Sequence, residues 1–93
     1  MAVTVYIPTP FRRATGNRAR VETTARDVSG ALDELERSYA GLKGLVRDER
    51  GELHRHVNIY VNSEAIEELG GLAARLKDGD EVSIIPALAG GVA

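Results

Sequence analysis

Residues 27–39 read DVSGALDELERSY, and the spacing of their apolar positions decides the fold. Val28, Ala31, Leu32, Leu35 and Tyr39 recur at steps of three and four, so one side of a helix carries all of them. Asp33, Glu34, Glu36 and Arg37 take the wet side. Asp27 stands where an N-cap belongs, because its carboxylate can accept from an otherwise unpaired amide of the first turn. Gly41 follows the last apolar position and is predicted to end the helix in left-handed backbone. Gly30 is the weak point, costing ~1 kcal/mol against alanine in a helix interior. Close approach to a neighbouring sheet is the expected benefit.

On both sides of this helix the period is two. Val3, Val5 and Ile7 alternate with Thr4 and Tyr6, a β-branched first strand that Pro8 and Pro10 end. Segment 9–19, TPFRRATGNRA, reads as a turn or loop with Thr15, Gly16 and Asn17 as its tightest part. A shorter strand centred on Val21 follows, in a register that the residues do not specify. Beyond the helix, residues 42–52 make a charged linker with Leu42, Leu45 and Val46 as anchors. Val57, Ile59 and Val61 alternate with Asn58 and Tyr60 to give the clearest strand, and Asn62-Ser63 is its turn. A helical turn is predicted around Leu72, Ala73 and Leu76, then a turn at Asp78-Gly79. The last strand runs from Val82 to Ile85, and Pro86 halts it by lacking an amide hydrogen.

This order predicts an α+β domain: a mixed sheet with one main helix packed on one face. The connection through the helix is expected to set a parallel neighbour beside the second strand. Residues 1–86 are assigned to that domain and residues 87–93 to a flexible C-terminal tail.

Composition narrows the function. A chain of 93 residues supports one modest core. Its 12 basic and 14 acidic residues give a net charge of -2, with no excess to attract nucleic acid or an anionic membrane. No apolar stretch approaches the roughly 20 residues of a membrane span, and the beginning of the chain lacks a signal-peptide core. Without cysteine there is no disulfide framework, thiolate nucleophile or thiolate metal site, and the cytoplasm is the expected compartment.

Candidate sites are weighed against plainer roles. His54 and His56 could share a strand face, but two histidines without a third ligand favour a surface role over a metal centre. Asp78, Asp80 and Glu81 lack the ligand cadence of a calcium loop and read as a turn with a solvated acidic edge. Arg12, Arg13, Arg18 and Arg20 surround the first hairpin, without the interleaved aromatics of a nucleic-acid surface. Docking against an acidic partner fits them better. Ser29, Ser38, Ser63 and Ser83 sit in no nucleophile elbow. Gly70-Gly71 and Gly90-Gly91 lack the lysine and following helix of a phosphate loop. No catalytic residue and no metal site is assigned, so the chain does not read as an enzyme. The segment PALAGGVA, residues 86–93, stays open between an idle terminus and a narrow extension for another protein's active site, to which glycine is suited.

Three segments in order, VTVYIPTPFRRATG, SYAGLKGLVRDERGELHRHVNIYVN and DGDEVSIIPALAGG, resemble the ubiquitin-like sulfur carrier family. That family includes the molybdopterin synthase small subunit and the thiamine-biosynthesis sulfur carrier. The likeness is strongest to the carriers of thiocarboxylate-dependent cysteine biosynthesis. The resemblance implies a β-grasp fold and a protein co-substrate. In that family an E1-like enzyme uses ATP to adenylate the last glycine, here Gly91, and sulfur displaces AMP to leave a thiocarboxylate. In the cysteine branch, a pyridoxal-phosphate-type cysteine synthase presents an aminoacrylate to the thiocarboxylate, and a zinc metalloprotease releases cysteine. ATP, pyridoxal phosphate and zinc therefore belong to partners, and none is expected on this chain.

The resemblance further implies that Gly90 and Gly91 are the diglycine and that Ala87, Leu88 and Ala89 form the extended approach. Ile85 and Pro86 match a partner-docking position, although an apolar strand residue is by default core. Val92 and Ala93 follow the diglycine, so Gly91 has its carbonyl in a peptide bond. Removal of Val92-Ala93 is the expected first step. Alternatives are a molybdopterin synthase small subunit, a modifier joined through Gly91 to lysines, and a plain interaction domain with an idle terminus.

Overall fold

Alternation becomes burial once the strands pair. The computed structural model describes residues 2–86 and places five strands in one sheet, in the order β2-β1-β5-β3-β4. These are β1 (Val3–Tyr6), β2 (Arg20–Thr23), β3 (Val57–Val61), β4 (Glu64–Ala65) and β5 (Glu81–Pro86), with the helix α1 over Val28–Ser38. Val3, Val5, Val57, Ile59, Val82 and Ile84 point to one face of the sheet. There they pack with Val28, Ala31, Leu32 and Leu35 of α1 in a single core. The period-two and period-3.6 patterns thus meet at one interface, as an α+β layer pair requires. Asp27 caps α1 as expected, its Oδ1 accepting from the Gly30 amide at 2.7 Å.

The register comes from non-local pairing. β1 runs antiparallel to β2, with Val5 opposite Val21, and parallel to β5, with Val5 opposite Val82. β5 is antiparallel to β3, matching Ile84 with Ile59 and Pro86 with Val57. Asn62 (φ 51°) and Ser63 (φ 74°) both occupy left-handed backbone in the two-residue turn to β4. That is the turn type whose twist suits a tight hairpin.

Several expectations are corrected. The strand parallel to β2 is β3, but it is not its neighbour. β1 already pairs with β2, and the connection through α1 crosses both β1 and β5 before β3 begins. Gly41 does not terminate the helix. Tyr39 is the C-cap and Gly41 lies in a 3-10 turn, Ala40–Leu42, where a Cβ would sit 3.1 Å from the Cβ of Ala14. Glycine is there for the contact between the two connections. Gly30 makes a close approach too, but to its own cap: a Cβ would meet Asp27 Oδ1 at 2.9 Å. The segment after β1 is an ordered 3-10 helix, Thr9–Thr15, rather than an open loop. In the linker Leu42 and Val46 are buried at 1% and 2% exposure, whereas Leu45, at 37%, anchors nothing. The later helical turn is Gly71–Ala73, and its neighbours Ala74 and Leu76 carry the burial.

Candidate functional site

β5 positions whatever follows it. It is the central strand of the five, and its last residue, Pro86, is paired with the first residue of β3. Because β1 runs parallel to β5 while β2 and β3 run antiparallel, one end of the sheet collects the end of β1 and the starts of β2 and β3. The chain leaves β5 at that end. Ala87, Leu88, Ala89, Gly90, Gly91, Val92 and Ala93 lie outside the described residues, as does the proposed tail boundary.

Strand parity assigns the sides. With Val82 and Ile84 in the core, Ser83 and Ile85 face away from α1. Ile85 is 47% exposed, so it is not a core residue. Register sets Ser83 between Tyr6 of β1 and Tyr60 of β3, and sets Ile85 opposite Asn58. Tyr6, Asn58, Tyr60 and Ser83 are half-buried. The open face beside the exit therefore combines an exposed aliphatic side chain with two aromatic rings. The residues read from sequence here are Ile85 and Pro86; the tyrosines are additions. The signal for them is present in the alternation, since Tyr6 and Tyr60 fall on the parity opposite the buried valines. A groove of about 340 Å³ at this place is lined by Tyr6, Arg12, Ser83, Ile85 and Pro86, among others.

The exit end is basic. Arg12 and Arg13 follow β1, Arg18 and Arg20 enter β2, and Arg55 precedes β3. No acidic residue occurs between residues 2 and 21. Arg12 is anchored by its Nε, which donates to the Ile7 carbonyl at 3.0 Å. Thr15, fully buried, supports the same segment through its hydroxyl, which lies 3.1 Å from the Arg12 carbonyl and 3.0 Å from that of Arg18. His54 and His56 stack with ring centroids 5.3 Å apart, and His54 Nε2 donates to the Gly44 carbonyl at 2.8 Å. No third ligand joins them: among the described residues no group of three metal-ligating side chains occurs.

The acidic turn at the other end of β5 differs from its sequence reading. Asp78 and Glu81 are exposed, but Asp80 is only 7% exposed and is not a solvated edge. Its Oδ1 accepts from Asn62 Nδ2 and its Oδ2 from the Lys77 amide, both at 2.8 Å. Burial alone raises this carboxyl's pKa. The Lys77 amide, the Asn62 amide and the charge of Lys77 outweigh that and hold it below its ordinary value. Asn62 completes the link, since its Oδ1 accepts from the Glu81 amide at 3.0 Å. The network fastens the start of β5 to the β3–β4 turn. Its role is to hold the strand that carries the exit.

The ThiS family model matches residues 5–91. The sulfur carrier protein CysO of Mycobacterium tuberculosis is 44% identical over 93 residues, covering 98% of this chain and 100% of that protein. Small archaeal modifier protein 3 of Haloferax volcanii is 41% identical over 85 residues, covering 87% of this chain and 89% of that protein. A chain of the Amycolatopsis orientalis BexX/CysO complex superposes with a TM-score of 0.88 at 45% identity, covering 96% of this chain and 99% of that one. The fold is the ubiquitin-like β-grasp of these neighbours. No helix among the described residues is long and apolar enough to cross a membrane.

Proposed function

We propose, from the premise that this chain belongs to the ThiS family, that it carries sulfur as a thiocarboxylate on Gly91 for cysteine biosynthesis. It is a homologue of sulfur carrier proteins and a protein co-substrate rather than a catalyst. The observation that carries the finer reading is the 44% identity to a sulfur carrier across 98% of the chain. The family match ending at Gly91 supports that residue as the working terminus.

The chemistry begins with a cut. Val92 follows Gly91, so the Gly91 carbonyl is an amide until hydrolysis after it yields a carboxylate. Attack of that carboxylate on the α-phosphorus of ATP, in an E1-like partner, forms the acyl-adenylate and releases pyrophosphate. Sulfide-level sulfur then attacks the carbonyl carbon, the C–O bond to AMP breaks, and the thiocarboxylate remains. A cysteine synthase of the pyridoxal-phosphate type supplies an electrophilic three-carbon acceptor. The carrier's sulfur bonds to its β-carbon, and an S-to-N acyl shift moves Gly91 onto the amine as an amide. A zinc metalloprotease hydrolyses that amide, releasing cysteine and restoring the carboxylate. The same protease is the candidate for the first cut.

This chain contributes presentation. Gly90 and Gly91 lack Cβ atoms, so Ala87 to Gly91 make a narrow segment for a partner's active site. Ile85 and Pro86 meet the partner at the exit, with Tyr6 and Tyr60 extending the contact. The crystallised BexX/CysO complex supports docking as a mode for this family. The test is reconstitution with an E1-like enzyme, ATP and sulfide, comparing the whole chain with one ending at Gly91. Only the second is expected to gain the mass of an oxygen-to-sulfur exchange; an unchanged mass for both overturns the reading.

A second reading, protein modification, is favoured by the 41% identity to small archaeal modifier protein 3. It requires Gly91 in isopeptide linkage to lysines of other proteins, which peptide mapping of cellular conjugates detects.

A further inference from the structure

The sheet face turned away from α1 changes charge along its strands. Thr4 of β1 has Glu22 of β2 on one side and Glu81 of β5 on the other. Two residues further toward the exit, Tyr6 has Arg20 and Ser83 in the same places. Residues directly opposite on paired strands share a face, so both rows lie on the open side with Tyr6. Arg20, Glu22 and Glu81 are exposed, and the Tyr6 hydroxyl donates to Glu81 Oε2 at 3.4 Å. Beyond Tyr6 the sign stays positive: Arg12 lines the groove of Tyr6 and Ile85, and Arg13 lines the adjoining one with it. The fold does not neutralise these rows. Among the described residues the ion pairs are those of Arg47, with Asp33 at 2.7 Å and Glu36 at 3.0 Å.

We propose that this ordered charge sets the orientation in which the E1-like partner docks. Carboxylates at the mouth of the partner's active site meet Arg12 and Arg20, and a basic side chain meets Glu22 and Glu81. The proposal rests on the sulfur-carrier reading, which supplies the partner, and on none of residues 87–93. A two-residue step along a strand is about 7 Å, below the screening length of roughly 8 Å at physiological salt. A protein at a distance therefore senses little of the pattern, whereas one in contact feels each row separately. Net charge cannot do this. At -2 the whole chain favours a basic partner in any orientation, including one that turns the mouth away from the end of β5. The two rows favour a single orientation and set like charges against each other in the reversed one, where such juxtaposition is costly. The apolar contact at Ile85 has no direction of its own, so it supplies affinity while the charged rows supply alignment.

The test swaps the rows without altering net charge, in the double variant Arg20→Glu/Glu22→Arg, at two exposed positions of the edge strand. The control is R37E on the exposed side of α1, which changes net charge and leaves the rows intact. Binding of each whole chain to the E1-like enzyme of its own cells is titrated at about 0.05 M and about 0.5 M salt. The swap is expected to raise Kd at least about tenfold at low salt, a difference that narrows at high salt, while R37E stays within about threefold. A swap within about threefold of the original chain overturns the proposal, as does an R37E loss equal to that of the swap. The original chain carries an independent measurement: a Kd that does not rise with salt overturns the proposal whether or not the swap folds. Displacement of the enzyme by single-stranded RNA assigns the arginines to nucleic acid and overturns it too. Loading of the chain ending at Gly91 is followed in parallel. Its failure sinks the sulfur reading, whereas normal loading beside an unaffected swap sinks the orientation proposal alone.

Discussion

Replacing Asp80 by asparagine removes one charge while leaving the side chain's shape intact. In the native network both carboxylate oxygens accept, from Asn62 Nδ2 and from the Lys77 amide at 2.8 Å each. An amide offers one oxygen, so its NH2 group must face a donor. Asn62 cannot rotate to accommodate it without losing the bond from the Glu81 amide to Oδ1. A hydrogen bond to a charged group contributes about 1.5–3 kcal/mol, and leaving a buried donor unpaired costs a similar amount. The expected loss for Asp80→Asn is therefore about 2–4 kcal/mol. At about 4–8 °C per kcal/mol for a domain this size, the melting temperature falls by roughly 8–32 °C. Urea unfolding followed by circular dichroism measures the free energy, with Asp78→Asn as control. Asp78 is exposed and accepts one bond, from the Ala2 amide at 2.8 Å, which an asparagine oxygen can still accept. Its expected loss is below about 1 kcal/mol.

The same network has a pH signature. Asp80 titrates below its ordinary value in the folded chain. Its contribution is thus fully present above the unfolded pKa of about 3.9 and is lost as pH falls through the folded one. Asp80→Asn should flatten that part of the acid limb. A variant within about 0.5 kcal/mol of the original chain, with an unchanged acid limb, would refute the reasoning.

Three further outcomes follow from packing. Leu42→Ala should cost about 2–5 kcal/mol because Leu42 is buried at 1%, while Leu45→Ala, at 37% exposure, should cost below about 1 kcal/mol; denaturant titration compares them. Gly30→Ala should not deliver the ~1 kcal/mol expected of a helix interior, because its Cβ would press on Asp27 Oδ1 at 2.9 Å. In an Asp27→Ala background it should recover most of that gain, a coupling that a double-mutant cycle reads. Ile85→Asp should leave stability within about 1 kcal/mol but slow loading by the E1-like partner at least about tenfold, measured as thiocarboxylate formed per unit time.

Local patterns carried much of this architecture. The alternations in Val3–Tyr6 and Val57–Val61, and the spacing from Val28 to Leu35, each place a buried face correctly. Asp27 is legible because capping involves only the next few residues. What sequence could not supply is set by distant partners. The crossover past β1 and β5 depends on which edges are already paired. Gly41 is required by Ala14, 27 positions earlier, and resembles a helix terminator only locally. Asp80 reads as solvated until Asn62 closes over it. Parity does expose Ile85, since Val82 and Ile84 on the same strand face inward. Default burial of an apolar strand residue hides that signal. Gly90 and Gly91 came from resemblance alone, because no local pattern separates a reactive diglycine from an idle one.

Intact-protein mass spectrometry of the chain isolated from its own cells tests the central claim most directly. The expected result is a population ending at Gly91, part of it heavier by one oxygen-to-sulfur exchange and sensitive to thiol alkylation. A population in which every molecule retains Val92 and none carries sulfur would contradict the account.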